Sequence, residues 1–223
     1  MSTKPTLAII GGTGALGSGL AKRWSAAGYT VIIGSRDAAK AKAAAAALGA
    51  ARGASNVDAV KGGAVVILAV PWASHAAILD EIAPHAAGKI VIDTTVPLVP
   101  PKVARVQLPP ETSAAVGAQT RLGETARVVA AFHNIAAKKL QTDEALDCDV
   151  LVCGDAAADR DTVIALAAAA GLRGVHAGPL ANAVAAEALT SVLIGINRHY
   201  KVPGAGIRIT GLDAGLATGA AGD

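Results

Sequence analysis

Apolar residues fall in short, nearly unbroken runs at Thr6–Ile10, Thr30–Ile33, Val65–Val70, Lys89–Ile92, Val128–Phe132 and Val150–Cys153. They are rich in valine and isoleucine and do not alternate with polar residues, which predicts strands covered on both faces. Alanine-rich stretches near Gly17–Ala27, Ala38–Leu48, Ser74–Ile82 and Ser113–Leu122 lie between them and predict helices. Asp37 stands where it can cap the second helix. This repeated order predicts an α/β fold, a Rossmann-type doubly wound parallel sheet with ligands at the carboxyl ends of its strands. After Cys153 the texture changes, with a helical stretch near Arg160–Ala170, then "GLRGVHAGPL", then a long apolar helix from about Ala183 to Arg198. The expected division is a nucleotide-binding domain over 1–145, a smaller C-terminal lobe over 146–212 and a fraying tail over 213–223.

The chain has 223 residues, 52% of them hydrophobic and only 2% aromatic. That length buries one good core. No apolar run is expected to reach the roughly 18–20 residues that span a bilayer, and "MSTKPTLAIIGG" enters a strand too early for a signal peptide. Cys148 and Cys153 suit neither a metal knuckle nor a CxxC pair. A reducing, cytoplasmic setting away from membranes is the expectation. The net charge of +3 is spread along the chain, which favours anionic small molecules and speaks against nucleic acid as a partner.

Gly12, Gly14 and Gly17 form GxGxxG between a strand and a helix, within "LAIIGGTGALGSGL". In such a turn the first glycine permits the bend, the second lets backbone approach a pyrophosphate, and the third lets helix and strand pack closely. The helix N-terminus offers N–H groups and partial positive charge to the phosphates, and Thr13 adds a hydroxyl. At the end of the second strand, where an NAD site keeps a carboxylate, the chain reads Gly34-Ser35-Arg36, with Lys40 a turn further on. Arg36 can fork onto a 2′-phosphate, Lys40 can serve as a point charge and Ser35 as a donor. NADP is therefore expected over NAD.

Beyond the glycine turn, "VPW" at 70–72, "VPLVP" at 96–100, "AFHNIAA" at 131–137, "CDVLVCGD" at 148–155, "AGPL" at 177–180 and "EALTSVLIGIN" at 187–197 complete a pattern. Over roughly residues 6–212 it resembles the coenzyme F420-dependent NADP oxidoreductases. The resemblance implies reversible hydride transfer between NADP(H) and the deazaflavin coenzyme F420, most simply as NADPH-driven F420 reduction. It places NADP contacts on Thr13, Gly14, Ala15, Leu16, Ser35, Arg36 and Lys40, with Val70, Val99, Ala137 and Ala205 around the nicotinamide and its ribose. The C-terminal lobe would cover the deazaflavin.

Two cofactors that exchange hydride directly need no nucleophile, metal or triad, and the sequence holds no GxSxG or HExxH. His133, just past a strand, is expected to bind the deazaflavin with Asn134 beside it, while Ile135 and Pro97 press the rings together. Arg173, Arg198, Lys201 and Arg208 are candidates for its anionic oligoglutamyl tail. The long C-terminal helix could also support a homodimer. Two other readings stay open from sequence: an NADP-dependent reductase of an imine, keto acid or metal ion, and a non-catalytic NADP sensor.

Overall fold

The computed structural model describes residues 4–48, 51–142 and 144–212; the expected tail at 213–223 lies outside them. The order of elements is β1 (Leu7–Ile10), α1 (Ala15–Ala26), β2 (Val31–Ser35), α2 (Ala38–Leu48), β3 (Ala51–Ser55), α3 (Asn56–Gly62), β4 (Val65–Leu68), α4 (Trp72–Ile82), β5 (Ile90–Asp93), α5 (Ala114–Leu122) and β6 (Arg127–Ala130). It continues with α6 (Ala137–Leu140), β7 (Asp149–Val152), α7 (Ala157–Ala169), β8 (Arg173–His176) and α8 (Ala183–Tyr200). The first six strands form one sheet in the order β3-β2-β1-β4-β5-β6, every pairing parallel. This is the doubly wound sheet of the Rossmann fold.

Strand periodicity divides the core between the two faces. Leu7 and Ile9 of β1 point to the side where Trp24 of α1, Ala41 of α2 and Leu166 of α7 pack. Ala8 and Ile10 point to the other, against Val60 of α3, Leu79 of α4 and Ala118 of α5. Buried Trp24 meets Phe132 edge-on at 5.9 Å, and its Nε1 donates to the Leu166 carbonyl at 2.8 Å.

β7 and β8 pair in parallel as a second, two-stranded sheet. An antiparallel bridge between Ala130 and Cys153 joins it to the edge of the first. Val150, Val152, Val163 and Leu166 belong to the same buried cluster as Leu7 and Ile9, so β7 and α7 share the core of the large sheet. The segment 204–212 then runs back along β7. Asp149 N–H donates to the Ile207 carbonyl at 2.8 Å, and Asp149 Oδ2 accepts from Ile209 N–H at 2.6 Å.

One expectation needs correction. Leu180–Tyr200 forms a helical stretch of 21 residues with mean hydropathy 1.4, long and apolar enough by length and composition to cross a membrane. Its inward side chains nevertheless bond into the protein. Glu187, Thr190 and Asn197 reach α5, the His133 carbonyl and Ala205 N–H respectively.

Candidate functional site

The turn after β1 builds one end of a cleft. Gly11, not Gly12, takes the left-handed conformation, at φ +80°, where a Cβ would sit 2.3 Å from the Ala69 carbonyl oxygen. The bend therefore depends on a glycine one place earlier than the motif suggests. Gly17 does what its position predicts: a Cβ there would lie 2.7 Å from the Gly11 oxygen, inside the strand–helix contact. Gly14 is the N-cap of α1, no side chain caps that end, and the first turn holds no acid. Polar N–H groups at an uncapped helix start, beside a glycine with no Cβ, fit the phosphates of a dinucleotide.

Thr13, Gly14, Ser35, Arg36 and Val70 line this one cleft, together with Gly11, Asn56, Ala69, Pro71, Ser74 and Ile78. Ser35 Oγ accepts from Asp37 N–H at 3.2 Å. Asp37 Oδ1 caps α2, accepting from the Ala39 and Lys40 amides at 3.0 and 3.1 Å. Asp37 is thus committed to the helix it was expected to cap. Lys40 Nζ lies 3.8 Å from Asp37 Oδ2 with its side chain 77% exposed, a solvated pair of little energetic weight. It stands outside the residues that line the cleft. Arg36 is exposed, and among the described residues no ion pair engages its guanidinium. Ala15 and Leu16 open α1, Ala15 exposed and Leu16 packed partly on the core.

The carboxyl ends of β5 and β6 carry a second, buried polar group that the sequence did not disclose. His75 Nε2 lies 2.7 Å from Asp93 Oδ2, and Asp93 Oδ1 accepts from Thr95 N–H at 2.9 Å. Trp72 stands beside His75, ring centroids 5.3 Å apart. Three residues past β6, His133 follows Phe132, whose backbone is left-handed at φ 67°. Both ring nitrogens of His133 are buried without a hydrogen-bond partner. Burial holds its pKa down at about 4, the attraction of Asp93 offsetting only part of that shift. The ring is therefore neutral at pH 7.

Asn134 is braced from within: its Nδ2 donates to the Asp149 carbonyl at 2.7 Å and meets Cys148 Sγ at 3.3 Å. Ile135 is buried in the core cluster and also lines a cavity of about 170 Å³ with Asn134, Lys139, Cys148 and Ala205. Ala137 begins α6 close by. Val99 is 45% exposed, whereas Pro97 is buried against Glu187, Ala188 and Ser191 of α8. Of the four residues expected around the nicotinamide, Val70 lines the first cleft and Ala205 the second cavity, Ala137 begins α6, and Val99 lies in an exposed loop. Arg173 and Arg208 are also occupied. Arg173 forks onto Asp149 at 2.6 and 2.5 Å, and Arg208 pairs with Asp147.

A Rossmann sheet, a glycine turn at an uncapped helix and an unpaired arginine after β2 define a dinucleotide-binding oxidoreductase domain. Residues 6–97 match the family described as NADP oxidoreductase, coenzyme F420-dependent. The F420-dependent NADP reductase of Methanocaldococcus jannaschii is 39% identical over 222 residues, covering 93% of this chain and 99% of that protein. Its namesake from Methanothermobacter thermautotrophicus is 42% identical over 223 residues, covering 92% and 95%. A crystal structure of a candidate F420-dependent NADP-reductase from Arthrobacter sp. FB24 superposes with a TM-score of 0.82 at 26% identity, covering 92% of this chain and 99% of that one. The chain belongs to the coenzyme F420-dependent NADP oxidoreductase family.

Proposed function

We propose that the chain transfers a hydride between NADP(H) and F420, with the nucleotide along Thr13, Gly14, Ala15 and Leu16 and its 2′-phosphate between Ser35, Arg36 and Lys40. The observation that carries the reading is Arg36: an unpaired, forked cation in the same cleft as Thr13 and Gly14. The bound nicotinamide and deazaflavin rings supply the hydride chemistry, and the protein binds them, aligns them and excludes water. Neutral His133 is assigned a binding role toward the deazaflavin, with Ile135 and Pro97 confining the rings and Val99, Ala137 and Ala205 bordering the nicotinamide end. In this reading 1–145 holds NADP and 146–212 covers the deazaflavin, α8 lying over His133 through the Thr190 bond to its carbonyl at 2.9 Å. With Arg173 and Arg208 occupied, Arg198 and Lys201 are the cations left for the oligoglutamyl tail.

Mixing enzyme, oxidised F420 and NADPH while following the deazaflavin's visible band tests the reading. Enzyme-dependent bleaching, much slower with NADH, is expected; tight NADPH binding without bleaching would remove F420 as substrate. The same site runs in both directions, and NADPH-driven reduction is the direction assigned here. The relatives are named for NADP reduction, so initial rates in both directions decide between them.

α8 leaves Val192 and Ile196, four residues apart, 48% and 37% exposed. This stripe supports a homodimer rather than a membrane contact, because the helix's polar side chains already bond inward. Sedimentation of the wild type and of Val192→Glu with Ile196→Glu distinguishes dimer from monomer. Both cysteines are free, which fits a reducing, cytoplasmic setting.

A further inference from the structure

Asn56 opens α3 at the carboxyl end of β3 and lines the same cleft as Ser35 and Arg36. It is only 2% exposed, and the glycine turn and the 2′-phosphate site leave its presence unexplained. Helix capping does not account for it either. Ser55 is the N-cap of α3, its Oγ accepting from Asp58 N–H and donating to Asp58 Oδ2 at 2.8 Å.

The Asn56 amide is oriented by its neighbour. Nδ2 donates to Glu81 Oε2 at 3.1 Å, and because an ionised carboxylate only accepts, that branch of the amide must be the nitrogen. Oδ1 takes the other branch, buried and without a hydrogen-bond partner. A buried acceptor without a donor is disfavoured, and native proteins that keep one usually do so where a ligand or water completes it. Here the residue that carries the unpaired oxygen lines the cleft.

Gly11, Thr13 and Gly14 bring the turn after β1 to the cleft. Arg36 and Asn56 follow Ser35 and Ser55, register partners on β2 and β3, and the Asn56 amide bonds to Glu81 of α4, the helix that carries Ile78. A planar guanidinium and an apolar side chain suit the two faces of a flat aromatic base. Phosphates accept hydrogen bonds at neutral pH and so leave Asn56 Oδ1 unanswered. A purine between Arg36 and Ile78 carries a donor at its edge, the 6-amino group of adenine.

We infer that Asn56 Oδ1 accepts a hydrogen bond from the adenine 6-amino group, which makes Asn56 a specificity-determining residue for the base. The inference rests on the cleft being the NADP site. A site built around such a bond discriminates against an analogue that lacks the donor, since the buried acceptor is then left unpaired.

The test is direct fluorescence titration of the full chain with NADPH and with its reduced hypoxanthine analogue, in which an oxo group replaces the 6-amino group. The wild type is expected to bind the analogue on the order of 10-fold more weakly. Asn56→Ala should weaken NADPH to about the level of the analogue and bring the ratio of the two dissociation constants close to one. Equal binding of both nucleotides by the wild type overturns the inference, and that comparison needs no variant to fold. Retention of the full ratio in Asn56→Ala overturns it as well, assigning discrimination elsewhere. Failure of the wild type to bind either nucleotide would instead refute the cleft as an NADP site, and the inference with it.

Discussion

Glu187 of α8 holds the first turn of α5 across 73 residues of sequence, its Oε2 accepting from Ala114 N–H at 2.7 Å. Oε1 accepts from Ala115 N–H at 3.0 Å. One buried carboxyl therefore joins the C-terminal helix to the helix between β5 and β6, and lines a small cavity with Pro97.

Burial pushes the Glu187 carboxyl up to about 8, against the two amide bonds that lower it. The folded chain then binds this proton more readily than the unfolded chain. Between the ordinary carboxyl value of 4.5 and about 8, the stabilising contribution is lost as pH rises. Glu187→Gln removes that titration and replaces one acceptor by a donor facing an N–H. Urea unfolding should show a loss of about 1–3 kcal/mol at low pH, with the deficit relative to wild type narrowing between pH 5 and pH 8. A deficit independent of pH would mean that Glu187 is ionised throughout that range.

Arg36 and Lys40 differ in their surroundings, and the difference predicts unequal effects. Lys40 is solvated beside Asp37, whereas Arg36 lines the cleft. Arg36→Ala should weaken NADPH by about 1.5–3 kcal/mol, the worth of a hydrogen bond to a charged group, with Lys40→Ala well below that. NADH binding should barely change in either variant. Equal losses for both nucleotides, measured by titration, would contradict a 2′-phosphate contact.

The large sheet was legible because its strands are apolar on both faces: all six runs named from sequence overlap a strand, five of them in this sheet and the sixth being β7. β3 was missed because "ARGAS" holds no β-branched residue and joins as an edge strand through backbone pairing to β2. β8, "RGVH", is polar at both ends and pairs only with β7. Within the site, Ser35 and Arg36 were readable since the motif fixes their distance from a strand end. His75–Asp93 and Glu187 were not, because their partners lie 18 and 73 residues away and no local spacing encodes them. An acid within the otherwise apolar "EALTSVLIGIN" was the one available signal for Glu187.

Arg23 of α1 ties three parts of the chain together through carbonyl oxygens. Its guanidinium donates to Leu140 and Ala170 at 3.2 and 2.9 Å, to Lys139 at 3.3 Å, and to Thr142 and Glu144 at 2.9 Å each. The fork can serve several acceptors at once, which an ammonium cannot match in geometry. Arg23→Lys should cost about 1.5–3 kcal/mol in chemical denaturation, with NADPH affinity little changed. Unaltered stability would mean that water replaces the guanidinium at those carbonyls without loss.

His133 offers a pH test with the opposite sign to Glu187. Its folded pKa of about 4 lies below the ordinary imidazole value of 6.5, so the unfolded chain binds the proton more readily. Its contribution is present above about pH 6.5 and is lost as pH falls toward 4. His133→Asn keeps a polar side chain of smaller size but does not titrate. Thermal unfolding at a series of pH values should then show a shallower acid-side decline in the variant than in the wild type. In the same preparations F420 affinity should fall while NADPH affinity, titrated directly, stays near the wild-type value. An unchanged acid limb would show that His133 is protonated in the fold, and loss of NADPH binding would move the residue to the nucleotide cleft.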